Sequence, residues 1–198
     1  MCLYTGVFEN ATDFAHIHYL HDDTFGNSDK PEIRDIHVTT DAWGVTARFA
    51  LHNKPVNALW EWSSVPQVHV TATAYLPSTS VITFTLGNGL SFTTFVNTVP
   101  VSATKTVNRF CLVRNIAWDK TGVFNADVWD EFARQAMLRI LGEDKVMVEA
   151  LRPDLLQREI SVKADMAQIA FRKLRQSYVD MGYGVPPEAT ENRFRSDF

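Results

Sequence analysis

Six segments rich in Val, Ile, Thr and Phe follow one another through the middle of the chain, and they constrain its fold more than any other feature. Each has the length and composition of a β-strand, and turn residues separate them, as at Gly87-Asn88-Gly89. Short connections favour antiparallel neighbours, because parallel strands need a long crossover between them. The sequence therefore predicts an antiparallel meander of strands at 33–39, 44–51, 68–76, 80–86, 90–99 and 106–118.

Helical patterns flank this meander at both ends. The first twenty or so residues indicate a helix, and the apolar residues after Asn125 recur at three- and four-residue spacing. The spacing predicts a helix to about 141, a second over about 144–151 and a third over about 164–181, the last with a buried face of Met166, Ile169, Ala170, Leu174, Tyr178 and Met181. Strands in the middle with helices at both ends predict an α+β domain, a curved antiparallel sheet wrapped around long helices.

Composition narrows the class of protein. With 198 residues, 45% of them hydrophobic, the chain can build one core, so we expect one domain over 1–185 and a polar tail over 186–198. The formal net charge of −4, with no basic stripe, argues against nucleic acid as a partner. No apolar stretch approaches the roughly 20 residues of a membrane span, and the first residues lack the pattern of a secretion signal. These features indicate a soluble protein.

Two histidines near the amino terminus form the strongest candidate site, in the spacing Asp13-x2-His16-x4-His21. Non-haem iron that activates dioxygen is typically held by two histidines and one carboxylate. Five residues of an ideal α-helix turn through about 500°, which leaves the His16 and His21 rings about 140° apart. We therefore predict a π-type turn between Phe14 and His21 that brings both rings to one face. The alternative is a core or capping role for these histidines; His18 is out of phase and is predicted to neighbour the site or line a pocket.

Asp144 is the best candidate for the third ligand. It extends the apolar stripe that contains Met137 and Ile140, and a carboxylate on an apolar face is costly unless a cation or metal lies beside it. The neighbouring Glu143 and Glu149 fall off this stripe and are predicted to be solvated. Asp130 is also predicted to point away from the apolar face that contains Trp129 and Phe132.

Two segments carry a resemblance to a known family. The run Phe8 to His21 resembles the E-N-x2-D-x2-H-x4-H motif that opens the catalytic half of Rieske non-haem iron oxygenases, and residues 143–154 resemble the helix that supplies their third iron ligand. The likeness extends over about 8–182. It is closest to the branch that contains vanillate demethylases, dicamba monooxygenase, and the pheophorbide and chlorophyllide oxygenases.

The resemblance implies a fold, a cofactor and a partner. The fold would be a helix-grip domain, similar to START and Bet v 1 proteins, and mononuclear Fe²⁺ would be held by His16, His21 and Asp144. In the family, the acid that matches Asp13 bridges toward a cluster-ligating histidine of the neighbouring subunit and helps electrons cross, and the residue that matches Asn10 lies near the iron. Members usually assemble as a ring of three. The location implied is the bacterial cytoplasm or the plastid stroma.

The family's electron source is not found in this sequence. Members carry a [2Fe-2S] Rieske cluster on C-x-H and C-x2-H ligands, whereas this chain has only Cys2 and Cys111, in neither pattern. We therefore expect the cluster to lie on another domain or subunit. A reductase or ferredoxin would supply that cluster with electrons. The chain would then be a fragment of a longer protein, a subunit encoded by a split gene, or an inactive relic.

Aromatic residues on and near the strands are candidates for a large apolar substrate pocket, and the alternative is that they form core. They are Trp60, Trp62, Phe84, Phe92 and Phe95. Phe92 and Phe95, three residues apart, should face opposite sides of a regular strand.

The leading hypothesis is an oxygenase that hydroxylates or demethylates an aromatic or large planar substrate, such as a tetrapyrrole. A second hypothesis, from a different functional class, is that the chain is a non-catalytic ligand-binding module or a regulatory subunit of a split oxygenase. A zinc hydrolase is disfavoured because no H-E-x2-H motif accompanies the histidines.

Overall fold

A six-stranded antiparallel sheet forms the centre of the molecule in the computed structural model, which describes residues 3–54, 66–87, 89–102, 105–115, 126–152 and 158–183. Each strand pairs with the next along the chain, so the predicted meander is confirmed. The strands are β1 Arg34–Thr40, β2 Gly44–His52, β3 Gln67–Tyr75, β4 Thr79–Gly87, β5 Leu90–Ser102 and β6 Lys105–Arg114. With helices before and after this sheet, the predicted α+β class is also confirmed.

The amino-terminal helical region is broken, contrary to the single helix predicted there. Helix α1 (Leu3–Glu9) continues into a 3-10 turn (Asn10–Thr12), and α2 is one turn (Ile17–Leu20). Between them, Asp13 has the extended backbone angles φ −87° and ψ 109°. The apolar spacing is compatible with a helix throughout, but the extended conformation of Asp13 ends it.

The carboxy-terminal helices also differ from the prediction. Helix α3 runs without interruption over Ala126–Ala150, where two helices were predicted on either side of Gly142. A glycine inside a helix costs only about 1 kcal/mol relative to alanine, and the packed apolar stripe on both sides of it outweighs that cost. Helix α4 (Met166–Asp180) follows a short 3-10 turn. Within the part of the chain that the structure describes, no helix is long and apolar enough to cross a membrane.

The buried face of α4 overlaps the predicted one only in part, because Ala170 and Leu174 pack against the core as predicted. Met166 and Met181 are 40% and 62% exposed, whereas the residues buried in α4 are Ala167, Gln168 and Phe171. The reason is a contact with α1, because the Phe171 ring packs on Phe8 with centroids 4.9 Å apart. Helix α4 lies against β1 and β2 and so covers that end of the sheet.

The inner face of the sheet forms cross-strand rows. One row pairs Phe49 with Val70, Val70 with Phe84, Phe84 with Phe92, and Phe92 with Arg114. Register fixes this arrangement, since side chains alternate between the two faces along each strand. These residues, together with side chains of α3, line a large cavity.

Candidate metal centre

The two histidines flank the single turn of α2. His16 immediately precedes it and His21 immediately follows it, and the N–H of His21 donates to the carbonyl of Ile17 in an ordinary four-residue helical bond of 3.2 Å. The predicted π-type turn is therefore wrong. Helix α2 ends at His21, whose backbone angles of φ −103° and ψ 23° depart from the helix, and the His16 and His21 rings converge with centroids 5.3 Å apart.

The segment after His21 wraps around the carbonyl of that residue. This oxygen accepts the N–H groups of Thr24, Phe25 and Gly26 at 2.9, 2.9 and 2.7 Å. A Cβ atom on Gly26 would lie 2.4 Å from the carbonyl oxygen of Ile17, so only glycine fits there. The backbone of His21 is therefore fixed from both sides.

The ligand atoms of His16, His21 and Asp144 all lie within 4.8 Å of one another. The Oδ1 atom of Asp144 lies 3.6 Å from His16 Nε2 and 3.1 Å from His21 Nε2. This oxygen is buried and has no hydrogen-bond partner among the residues that the structure describes. Because an unpaired buried carboxylate oxygen is costly, and because two imidazoles with one carboxylate are a donor set typical of ferrous iron, the three residues fit the ion that the sequence predicts.

A second carboxylate touches the site, and sequence reasoning missed it. Glu143 Oε2 lies 2.7 Å from His21 Nδ1, and its side chain is only 19% exposed. The prediction that Glu143 is solvated is wrong because its side chain reaches from α3 to the His21 ring. Its position next to Asp144 could have indicated this role, since metal-bound histidines commonly donate their other ring N–H to a carboxylate.

Charge and burial act in opposite directions on the pKa of His21. Burial lowers it, but the nearby carboxylates of Asp144 and Glu143 outweigh burial, so the pKa lies above its ordinary value. Negative charge therefore surrounds this ring, which favours a cation at the site.

Asp13 lies beside the other histidine. Its Oδ2 atom is 3.6 Å from His16 Nδ1, its Oδ1 atom accepts the N–H of Ala15 at 3.0 Å, and its side chain is 31% exposed. Burial raises the pKa of Asp13, but interactions with His16 and backbone N–H groups outweigh burial and hold the pKa below its usual value.

His18 belongs to the core and not to the metal centre. It is fully buried, and its Nδ1 atom accepts the N–H of Asn27 at 3.1 Å. Burial, and then the charge of His52, lower the pKa of His18, so the ring is neutral near pH 7. It is not among the residues that line the cavity.

The three candidate ligands open onto a cavity of about 1610 Å³ between the sheet and α3. Asn10, Phe84 and Phe92 line this cavity, as do His16, His21 and Asp144. Phe95 does not, because it lies on the other face of β5 and is 44% exposed. Trp60 and Trp62 lie outside the described residues, as does the predicted tail over 186–198.

Aromatic rings continue from the metal centre along the cavity wall. The Phe25 ring stacks on His21 at 4.8 Å and meets Phe84 edge to face at 5.8 Å, and Phe84 stacks on Phe92 at 4.7 Å. Phe25 was not singled out in the sequence, where nothing distinguishes it from other aromatic residues.

Known proteins share this fold. The family profile of the vanillate O-demethylase oxygenase C-terminal domain matches residues 1–181. The solved structure of Pseudomonas putida CBB5 NdmA with caffeine is 22% identical with a TM-score of 0.66, and the match covers 87% of this chain and 47% of that chain. Dicamba monooxygenase bound to 3,6 dichlorosalicylic acid is 15% identical with a TM-score of 0.72, covering 93% of this chain and 58% of that chain. The chain thus spans about half the length of these structures, and no curated protein sequence matches it.

Proposed function

The chain belongs to the vanillate O-demethylase oxygenase C-terminal domain family, and from that premise we propose that it is the catalytic iron domain or subunit of a Rieske-type oxygenase. One observation carries the proposal: His16, His21 and Asp144 converge around a buried, unpaired carboxylate oxygen at the wall of a large cavity. The reaction we propose is hydroxylation or demethylation of a substrate bound in that cavity.

Ferrous iron in this ligand set would supply activation of dioxygen, with electrons from a [2Fe-2S] Rieske cluster on another domain or chain. The residues of this chain hold the ion and shield it. His16, His21 and Asp144 would bind it on one side and leave the cavity side open to substrate. The Phe25 ring, which stacks on His21, and the Phe84 ring, which packs on Phe25, would exclude water from that side.

Two further residues support this assignment. Asn10 lines the cavity, and its buried Oδ1 atom has no hydrogen-bond partner in the described part of the chain, so we propose that it orients groups near the iron. Asp13 is close to His16 Nδ1 and partly exposed, so its carboxylate is able to accept a second donor from a partner. We propose that electrons enter on this side, from a Rieske domain or subunit that a reductase or ferredoxin reduces, within a trimer or hetero-oligomer.

The cavity favours an aromatic or large planar substrate. Its volume exceeds the 300–1,000 Å³ typical of small-molecule pockets, and a continuous aromatic wall leads away from His21. Flat rings stack favourably on such a wall. NdmA was solved with caffeine and dicamba monooxygenase with dicamba, which are both ring compounds. A tetrapyrrole is the largest substrate of this kind that we propose.

Iron analysis tests the proposal. The chain is reconstituted with Fe²⁺ without oxygen and desalted, and bound iron is measured per chain. We expect one iron in the wild type, a loss of most of it in His16→Ala, His21→Ala and Asp144→Ala, and no change in the control Glu149→Ala, whose exposed carboxylate pairs with Lys145 on the same helix.

A wild type without stoichiometric iron, or variants that keep it, would overturn the proposal. The chain would then be a non-catalytic ligand-binding module or a regulatory subunit of a split oxygenase.

A further inference from the structure

Two consecutive carboxylates of α3 contact opposite nitrogens of one imidazole. Asp144 Oδ1 lies 3.1 Å from His21 Nε2, and Glu143 Oε2 lies 2.7 Å from His21 Nδ1. We propose that Glu143 is the positioning residue of the metal centre, and that it makes His21 the fixed ligand and leaves His16 the adjustable one. This inference rests on the proposed metal site and adds to it a residue that sets how tightly the ion is held.

The contact with Glu143 fixes which nitrogen of His21 is available to an ion. A carboxylate can only accept, so the 2.7 Å contact places the ring proton on Nδ1. The neutral ring then has its lone pair on Nε2, the nitrogen that faces Asp144. A hydrogen bond from the distal nitrogen to a carboxylate also increases the basicity of the ligating one.

The Glu143 carboxylate is itself held in place. The Thr24 hydroxyl lies 3.1 Å from the same Oε2 atom and 3.1 Å from the carbonyl of His21. On the other oxygen, Arg139 Nε lies 3.3 Å from Oε1. Because groups from α3 and from the segment after His21 meet at this carboxylate, its position cannot shift without disturbing both.

His16 lacks an equivalent restraint. Within the described ranges, its Nδ1 atom is buried without a hydrogen-bond partner, and the nearest carboxylate oxygen, on Asp13, is 3.6 Å away. A contact at that distance is too long to fix the ring. The two histidines therefore differ, and loss of the Glu143 contact should weaken metal binding more than loss of the Asp13 contact.

Metal titration of the full 198-residue chain tests this difference. The metal-free protein is titrated with Co²⁺ without oxygen, and visible absorption of the bound ion reports both affinity and coordination. We expect Glu143→Ala to bind roughly 10- to 100-fold more weakly, with a changed spectrum. Glu143→Gln should lose less Co²⁺ affinity than Glu143→Ala, because its amide oxygen can still accept a hydrogen bond from His21 Nδ1. Asp13→Asn should also lose less affinity than Glu143→Ala. The matched control is Glu149→Gln, an exposed carboxylate of the same helix, and it should bind as the wild type does.

Each outcome bears on a separate statement. Wild-type affinity and spectrum in Glu143→Ala would overturn the positioning role, and an equal loss in Asp13→Asn would overturn the difference between the histidines. A wild type that binds no Co²⁺ would overturn the proposed function instead. Circular dichroism of the metal-free variants checks that they fold. Where Glu143→Ala does not fold, Glu143→Asp, whose shorter side chain withdraws the carboxylate from Nδ1, is compared with Glu149→Asp, and equal affinities overturn the inference.

Discussion

The Phe25 ring stacks on the ring of His21, with centroids 4.8 Å apart and planes inclined by 21°. The same phenyl ring meets Phe84 edge to face at 5.8 Å. Phe25 thus joins a proposed metal ligand to the cavity wall, and it reaches this position because its own backbone N–H donates to the His21 carbonyl.

Phe25→Leu keeps an apolar side chain and removes both ring contacts. Aromatic pairs contribute about 0.5–1.5 kcal/mol each beyond the area they bury, so we expect the free energy of unfolding to fall by roughly 1–3 kcal/mol. Urea denaturation of the metal-free protein measures this. Phe95→Leu is the control, because Phe95 is 44% exposed on the other face of the sheet and should change stability by less than about 0.5 kcal/mol. Equal losses in both variants would contradict the role of the stacked rings.

Metal binding should stabilise the folded chain. An ion that binds only the folded state adds about 2.7 kcal/mol when its free concentration is 100 times the dissociation constant. We therefore expect Co²⁺ to raise the unfolding midpoint of the wild type in a concentration-dependent manner and to leave that of Asp144→Ala unchanged. Thermal denaturation followed by circular dichroism checks both. A midpoint of the wild type that does not depend on Co²⁺ would contradict this prediction.

Local sequence patterns predicted the strands well because strand composition is a local property and the turns between strands are short. The proposed metal ligands could be named for a related reason, since His16 and His21 are close in sequence and Asp144 is the carboxylate on an apolar stripe. Glu143 was missed because it falls off that stripe, and only its contact with the His21 ring shows its role. Part of the buried face of α4 was missed because it depends on where Phe8 lies.

The pKa of Asp22 should lie far below that of an ordinary aspartate carboxylate. Its Oδ1 atom accepts from Lys54 at 2.7 Å and from the N–H of Ser28 at 2.9 Å, and these bonds lower its pKa to about 2. These bonds therefore stabilise the folded chain fully at pH values above 3.8, the pKa of Asp22 in the unfolded chain. That stabilisation is lost as the pH falls through about 2. Carboxyl chemical shifts measured by NMR during an acid titration give this pKa. In Lys54→Ala it should rise toward the ordinary value, and an unchanged pKa there would assign the effect to Ser28 alone.

The Glu9 carboxylate links the two ends of the described chain. It is nearly buried and accepts hydrogen bonds from Arg172 at 2.6 Å and from Arg175 at 3.1 Å. Replacing one partner of a buried ion pair costs about 3–5 kcal/mol, and partial exposure of both arginines lowers our expectation for Glu9→Ala to roughly 2–3 kcal/mol. Urea denaturation measures this loss. Glu131→Ala, which breaks an exposed pair with Arg134, should cost less than about 1 kcal/mol, and a similar cost for both variants would contradict the prediction.

Alanine substitution at two glycines near the proposed metal centre should change the free energy of unfolding in opposite directions. A Cβ on Gly26 would lie 2.4 Å from the carbonyl oxygen of Ile17 and 2.9 Å from the carbonyl carbon of His21, which are backbone atoms that cannot yield without moving α2. We expect Gly26→Ala to destabilise the protein by at least about 1–3 kcal/mol and to weaken Co²⁺ binding, because the displaced backbone carries His21.

Gly142 is the matched control, because a Cβ there meets nothing within 4 Å and the residue lies inside α3. Alanine in a helix interior is favoured over glycine, so Gly142→Ala should stabilise the protein by about 0.5–1 kcal/mol and leave Co²⁺ affinity unchanged. Urea denaturation and Co²⁺ titration are performed on both variants. If Gly26→Ala kept wild-type metal affinity although it destabilised the fold, the turn around the His21 carbonyl would support the fold without positioning the ligand.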